Sequence, residues 1–362
     1  MYTPRLAGMF FMKPAYRNSV GAFIGTFLYS LLVLLGLHFN IGKHALDLSM
    51  VLAVLWLLFS MIMLVRMICM VARLQVDSII KDLGNRGQRE IEKVYPDDYI
   101  SGDDAELDDT LITKLPSLTE VVIYSGLPSS IRKINYPLLG RAAKRCGGIL
   151  EMDHGPGDTV MDGAPILRVC GGKRPLNKRM AAPAIEFHEQ RSIDQDPRYV
   201  FRLLVDIGVR AISPAVNDPT TTVQTLDQID NLLRMVGVRR LGQNTIQDAS
   251  GNTLVVYPTT DWEDYLSLAI DEIRLYGASS IQVARRLQAL LVDLMDTVPP
   301  VRKPAVDKQI RKLREMIKNS YALLDDQLIA NETDRQGIGM TRELIDFTGL
   351  GIAELTRVKK GK

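Results

Sequence analysis

Two long runs without a charged residue lie near the N-terminus, and they constrain the fold more than any other feature. The first run is Ser19 to Leu37 and the second is Leu48 to Val65. A helix of such length crosses a hydrocarbon core of roughly 30 Å. We therefore predict two transmembrane helices within residues 19–73. Two runs so close together do not fit a cleaved signal peptide, and the alternative is a buried helical hairpin in a soluble core.

The distribution of basic residues predicts the orientation of this hairpin. Only Lys43 lies between the two runs, whereas several basic residues flank them on the outer sides: Arg5, Lys13, Arg17, Arg66, Arg73, Lys81, Arg86 and Arg89. By the positive-inside rule, both chain termini then face the cytoplasm, residues 1–18 form a cytoplasmic segment, and the protein is a multi-pass protein of the bacterial inner membrane. Gly21 and Gly25 form a pair that fits either packing inside the hairpin or oligomerisation.

Composition argues against several classes of partner and site. The 44 basic residues are balanced by 42 acidic ones, so the chain lacks the positive field on which nucleic-acid binding relies. Cys69, Cys146 and Cys170 show no C-x-x-C spacing, and the four histidines are scattered. We predict no nucleic-acid partner and no cofactor, and we leave open whether a metal binds.

The residues after the hairpin predict a soluble α+β region. Residues 74–116 read as a helical extension that ends near Gly84, followed by an acidic linker. Residues 117–172 contain four strand-like runs and one helical stretch, and they predict a small β-rich module. Residues 173–362 predict a mainly α-helical cytoplasmic domain with one β-hairpin. The expected fold is therefore a membrane α-helical hairpin joined to a soluble α+β region.

The end of the β-rich module carries the pattern G-D-x-V-x-x-G-x-P-I-L, which resembles the barrel-sandwich hybrid of lipoyl and biotinyl domains and membrane-fusion proteins. Gly157 and Gly163 would adopt positive φ in tight turns, while Val160, Ile166 and Leu167 would fill the core. No lysine stands at a hairpin tip, which argues against an attached cofactor. The G-P-G-D loop also does not match a phosphate-binding loop.

Helix start signals divide the mainly helical domain. A helical pattern covers residues 198–212, and the next helix begins at Asn217-Asp218-Pro219, where a capping side chain precedes proline. Three further helices are predicted from Trp262 to Tyr276, from Ser280 to Thr297 and from Val306 to Gln327.

One signature resembles a known family. The chain contains Q-D-P at residues 195–197 and then D-I-x-x-R-A-x-S-P-x-x-N-D-P-x-T at residues 206–221. The pattern, together with Y-T-P-R at residues 2–5 and D-R-Q-G-I-G at residues 334–339, is similar to the bacterial predicted membrane proteins named domain of unknown function 2254. The resemblance implies a membrane protein with a cytoplasmic C-terminal region and implies no known activity. Typical members carry two more transmembrane helices before Y-T-P-R, so we expect a truncated or short form here.

The second part of the signature supplies a candidate site. Asp206 and Arg210 lie four residues apart on one helix face and can pair, and Ser213, Asn217 and Asp218 follow at the helix break. One hypothesis is that the oxygens of Asp206, Ser213, Asn217 and Asp218 surround a cation or polar ligand while Arg210 orients them. The alternative is a corner in which each polar group caps or pairs with another.

Three classes of function fit these patterns. The leading one is a non-enzymatic, homo-oligomeric assembly in the lipid bilayer, either related to channels and transport or an envelope scaffold. The second is a membrane-tethered sensor of a small molecule or ion. An enzyme is the third, although no catalytic motif such as H-E-x-x-H or G-x-S-x-G occurs.

Overall fold

The chain divides into two compact units, Met1–Lys81 and Asp82–Lys362. A computed structural model describes residues 14–38, 43–72, 76–100, 115–242 and 245–335. The first unit contains two apolar helices, α1 (Pro14–His38) and α2 (Lys43–Ala72). Within them, Arg17–Leu35 and Asp47–Met67 are long and apolar enough to cross a membrane.

The two apolar helices contact each other through polar groups at two levels. The Ser19 hydroxyl donates a hydrogen bond to the Met63 carbonyl at 3.3 Å. The Tyr29 hydroxyl donates to the Ser49 carbonyl at 3.2 Å. Most large apolar side chains of both helices are exposed, and Phe27 is among them. Exposed apolar surface of this extent is typical of a surface that contacts lipid or another protein.

Helix α3 (Val76–Val94) continues ten residues past the predicted end at Gly84. Residues 73–75, which include the predicted start of this helix, lie outside the described residues, as do residues 101–114 of the predicted linker. Gly84 and Gly87 do not end α3 because they face close neighbours. A Cβ at Gly87 would lie 2.9 Å from Leu232 and 3.0 Å from Val200. Both glycines therefore serve helix packing rather than termination.

Two sheets form the β structure. Their strands are β1 (Leu118–Ile123), β2 (Ser129–Ile134), β3 (Ile149–Met152), β4 (Thr159–Val160), β5 (Pro165–Cys170), β6 (Ile185–His188), β7 (Thr245–Gln247) and β8 (Thr253–Val256). The larger sheet has the order β1-β5-β3-β8-β7 and the smaller one β4-β2-β6. All pairs are antiparallel except β3 with β8, where Leu150 lies opposite Val255.

The predicted limits of the β-rich module need correction. The four strand-like runs of residues 117–172 form β1, β2, β3 and β5, as predicted. Three strands beyond residue 172 also join these sheets, so the hairpin assigned to the helical domain is part of the larger sheet. Gly157 and Gly163 adopt the predicted positive φ, at 86° and 81°. The sheets do not confirm the barrel-sandwich resemblance, because two of the larger sheet's five strands come from the distant hairpin.

The remaining helices complete the second unit. They are α4 (Tyr136–Cys146), the short α5 (Lys178–Ala181), α6 (Pro197–Ala211), α7 (Pro219–Gly237), α8 (Trp262–Gly277), α9 (Ile281–Thr297), α10 (Lys303–Ser320) and α11 (Leu324–Asn331). The predicted helix from Val306 to Gln327 is wrong in extent, because the helix stops at Ser320 and a second helix begins at Leu324. The mixed helical and β architecture agrees with the predicted α+β region.

Gly87→Ala tests the close packing of α3. The added methyl group would overlap two fully buried side chains, and overpacking of this kind costs about 1–3 kcal/mol. We expect a lower melting temperature for the full chain in detergent. Gly140→Ala in α4 is the matched control, because its Cβ would meet neighbours only at 3.7 Å or more and alanine favours a helix. Equal melting temperatures for the two variants would contradict the packing role.

Candidate functional site

Three of the predicted site residues, Ser213, Asn217 and Asp218, lie in the turn between α6 and α7, and the side chains of Ser213 and Asp218 bond locally. The Ser213 hydroxyl donates to the Arg210 carbonyl at 2.7 Å. Asp218 caps α7, since its carboxylate accepts the Thr221 amide at 3.1 Å and the Thr221 hydroxyl at 2.6 Å. Asn217 is not the capping residue. Its backbone adopts a left-handed φ of 49° in the turn before α7. The structure thus brings Ser213, Asn217 and Asp218 together in one turn.

Asp206 pairs with a different arginine from the one predicted. The Arg202 guanidinium donates to Asp206 at 2.7 Å through Nε. It also reaches Glu272 on α8 at 2.8 Å through Nη2. Arg202 is the partner of Asp206 because it can bind carboxylates on two helices at once. Arg210 makes no ion pair within the described residues. The hydrogen bond from Arg202 lowers the pKa of Glu272. Whether the corner binds a ligand stays a hypothesis.

A cavity of about 260 Å³ lies elsewhere in the second unit, beside the Q-D-P motif. The end of α3, the G-P-G-D loop, the start of α6, the segment after β8 and α8 all contribute to it. Its polar lining includes Lys93, Tyr95, Asp97, Tyr136, Asp158, Gln195, Asp196, Arg198, Arg240, Tyr257, Thr259, Thr260 and Tyr265. Two motifs that are far apart in sequence therefore meet at one cavity.

The Asp196 carboxylate is fully buried beside this cavity and is held by two arginines. Arg191 Nη2 lies 2.7 Å from one of its oxygens, and Arg198 Nε lies 3.2 Å from the other. Burial alone would lower the pKa of Arg198, but the charges of Asp196 and Asp158 outweigh it and raise that pKa. A buried carboxylate stays charged only with such partners. Asp196 thus fixes Arg198 at the cavity wall.

Gly157 permits the G-P-G-D loop to approach Asp196. A Cβ at Gly157 would lie 2.0 Å from the Asp196 carboxylate. The positive φ of Gly157 is likewise unfavourable for any other residue. The Pro156 carbonyl, next to it, accepts a hydrogen bond from Arg198 Nη2 at 2.8 Å. The loop and the arginine therefore hold each other in place.

Gln195 joins α3 to the smaller sheet. Its side-chain oxygen accepts the Ile134 amide at 2.8 Å, and its side-chain nitrogen donates to the Ile134 carbonyl at 3.2 Å. Its backbone amide donates to the Glu90 carboxylate of α3 at 2.6 Å. These contacts hold Gln195 at a left-handed φ of 59°, which is uncommon for a residue other than glycine. Such backbone outliers cluster at functional sites.

Four tyrosines line the cavity and remain protonated. Burial raises the pKa of Tyr95, Tyr136 and Tyr265. Burial also raises the pKa of Tyr257 to about 12. The rings of Tyr136 and Tyr257 contact each other at a tilt of 36°, with their centroids 4.4 Å apart. Hydroxyls with raised pKa values act as neutral hydrogen-bond donors rather than as bases.

Comparisons with known proteins place these motifs in a family. The model of a family described as predicted membrane protein, domain of unknown function 2254, matches residues 1–293. The chain belongs to this family. It is also 31% identical over 134 residues to an uncharacterized protein of Mycobacterium bovis and to two of Mycobacterium tuberculosis. The match covers 37% of this chain and 26% of each relative, so the chain spans about a quarter of their length. No solved structure matches.

The signature of this membrane protein family thus contains two structurally different parts. The residues from Asp206 to Asp218 build the corner, and Gln195 and Asp196 build the cavity wall. Sequence reasoning proposed only the corner as a site. The Q-D-P motif was recognised in the sequence. Its neighbours at the cavity come from a separate loop and helix, and sequence spacing does not predict that these segments lie together. Within the described residues, no three His, Cys, Asp or Glu side chains are grouped as a metal site requires.

Asp196→Ala tests whether the buried carboxylate holds the cavity wall. Its removal leaves Arg191 without its carboxylate partner and Arg198 with only Asp158, at 3.6 Å. Breaking a buried ion pair costs about 3 kcal/mol at the lower end of the range. The lower end applies because both arginines are partly exposed. We expect a clear fall in melting temperature, measured on the full chain in detergent.

Asp194→Ala is the matched control. Asp194 also pairs with an arginine, Arg132, at 3.1 Å, but its side chain is 48% exposed. Exposed pairs of this kind contribute about 0–1 kcal/mol. If Asp196→Ala were no more destabilising than Asp194→Ala, the carboxylate would not organise the wall.

Proposed function

We propose that this protein is a membrane-tethered receptor that binds a small molecule in the cavity beside Asp196. The observation that carries the proposal is a cavity whose wall combines four tyrosines with an arginine that Asp196 holds in place. Ligand sites combine apolar and aromatic walls with a few precisely held polar groups. The cavity volume of about 260 Å³ suits a compact ligand.

The position of the cavity along the chain supports a signalling role. Lys93, Val94 and Tyr95, at the end of α3, belong to its lining. The same helix follows the second apolar helix in sequence, and its Glu90 binds the Gln195 backbone. A ligand that orders these contacts would stabilise one position of α3 relative to the cavity. In this proposal the apolar helices span the inner membrane with both chain termini in the cytoplasm.

A ligand-dependent stability change tests the receptor function. The full chain in detergent is heated with a panel of small neutral, cationic and anionic metabolites. A ligand at a hundred times its Kd adds about 2.7 kcal/mol to stability, so we expect at least one compound to raise the melting temperature.

A blocked cavity provides the control for this experiment. Thr259→Phe places a ring in the cavity and is expected to abolish the shift. Thr253→Phe, in β8 and outside the cavity lining, is expected to preserve it. A shift that survives Thr259→Phe would place binding elsewhere, and no shift with any compound would exclude the receptor function.

A homo-oligomeric assembly in the bilayer is the second candidate function. It is favoured by Gly21 on α1, where an added Cβ would meet no atom within 4 Å. Gly25, in contrast, faces α2, since its Cβ would lie 3.9 Å from Trp56. The Gly21 side of α1 thus offers a small, open surface of the kind at which membrane helices approach closely. A conducting form would need several copies, because two helices do not enclose a pore.

Gly21→Leu tests the assembly. The larger side chain would keep a second helix away, so native mass spectrometry in nanodiscs is expected to show fewer oligomers than for the unmodified chain. Ser30→Leu is the control, because Ser30 lies nine residues later, on the opposite side of α1. Monomers alone in the unmodified chain, or equal oligomer fractions in the two variants, would refute the assembly through this surface.

A further inference from the structure

The cavity presents hydrogen-bond donors that the protein itself does not use. The Thr259 hydroxyl oxygen is buried and has no hydrogen-bond partner among the described residues. Within the same residues, the hydroxyls of Tyr136 and Tyr257 and the Nη1 atom of Arg198 also make no hydrogen bond. All four groups belong to the cavity lining. A buried polar group without a partner is costly, so the Thr259 hydroxyl favours a ligand that bonds to it. The other three groups are less buried and lie in the same lining, where they can bond to the same ligand.

The chemistry of these four groups favours a ligand that supplies hydrogen-bond acceptors. Arg198 can only donate, and the raised pKa values of Tyr136 and Tyr257 keep their hydroxyl protons in place. The carboxylates at the cavity are already engaged, since Asp158 accepts the Gly155 amide at 2.8 Å. Asp196 accepts Arg191 Nε at 2.8 Å in addition to Arg198. A ligand that supplies only acceptors would satisfy the unused groups.

The overall charge of the cavity also accommodates an anion. The lining holds three cationic residues, Lys93, Arg198 and Arg240, and three acidic ones, Asp97, Asp158 and Asp196. Two partners lie outside the lining, Arg191 at Asp196 and Glu90 at Lys93, and their opposite charges leave the local balance at zero. No excess of negative charge at the cavity would therefore repel a bound anion.

Part of the lining is apolar. Pro156, Pro197 and Pro258 lie in the lining together with the rings of Tyr136 and Tyr257, which contact each other at a tilt of 36°. Such a wall suits a compact hydrocarbon or aromatic group next to the charged one. We propose, as a refinement that rests on the receptor function, that the ligand is a small organic oxyanion, a carboxylate or phosphate ester, held by Arg198 and the hydroxyls of Tyr136, Tyr257 and Thr259.

Matched probes test this assignment by isothermal titration calorimetry on the full chain in nanodiscs. Benzoate and phenyl phosphate represent the two oxyanions, benzamide is the neutral counterpart of benzoate, and benzylamine is a cation. We expect at least one anion to bind at least tenfold more tightly than benzamide and benzylamine, and the stronger anion identifies the carboxylate or phosphate source. Each tenfold step corresponds to about 1.4 kcal/mol.

Hydroxyl deletions link the binding to the cavity. Tyr257→Phe and Thr259→Val retain size while they remove one donor each, and each is expected to weaken the anion about tenfold. Tyr276→Phe and Thr253→Val, outside the cavity lining, are the controls and are expected to leave affinity unchanged. Arg198→Lys keeps the charge but loses the planar fork, and its affinity is expected to fall further.

The outcomes separate this refinement from the receptor function. Neutral or cationic binding equal to anion binding would overturn the oxyanion assignment, as would full affinity in Tyr257→Phe and Thr259→Val together. If neither anion binds while another compound of the metabolite panel does, the assignment is wrong and the receptor function stands. If no compound binds in either experiment, both are wrong.

Discussion

The buried charge of Asp196 is the constraint on which the cavity depends. A carboxylate removed from water must be compensated by positive groups, and Arg191 and Arg198 provide them from opposite sides. Once Asp196 is fixed, Arg198 cannot leave the cavity wall without exposing an unpaired charge. Gly157 must also lack a side chain, since a Cβ would occupy the position of the carboxylate. The buried charge of Asp196 therefore constrains the G-P-G-D loop, the start of α6 and the orientation of Arg198.

The contacts of Gln195 extend this constraint to α3. Glu90 accepts the Gln195 amide, while the Gln195 side chain bonds to both backbone groups of Ile134. Helix α3 and the smaller sheet are thus both hydrogen-bonded to Gln195, the residue before Asp196. A change at the cavity would alter the geometry of Gln195 first, because its left-handed backbone conformation has few alternatives. This arrangement gives the proposed receptor a physical connection between ligand and helix.

Local sequence patterns predicted the elements well, because caps and turns depend on neighbours in sequence. Asp218 caps its helix as the sequence indicated, and the strand runs and turn glycines are also in place. Contacts between segments that are distant in sequence could not be predicted in this way. Spacing alone favoured Arg210 as the partner of Asp206, whereas Arg202 takes that place because it also reaches Glu272 on another helix. The parallel pairing of β3 with β8 is nonlocal in the same way.

The corner and the cavity wall differ in how far folding satisfies their hydrogen-bonding groups. In the corner, the Asp218 carboxylate is used by Thr221 and the Ser213 hydroxyl by a carbonyl, so its folding satisfies these groups. At the cavity, folding satisfies Asp196 but leaves the Thr259 hydroxyl buried without a partner among the described residues. A protein gains nothing in stability from such a group. In the proposed receptor, a bound ligand completes the hydrogen bond that the fold leaves open at this hydroxyl.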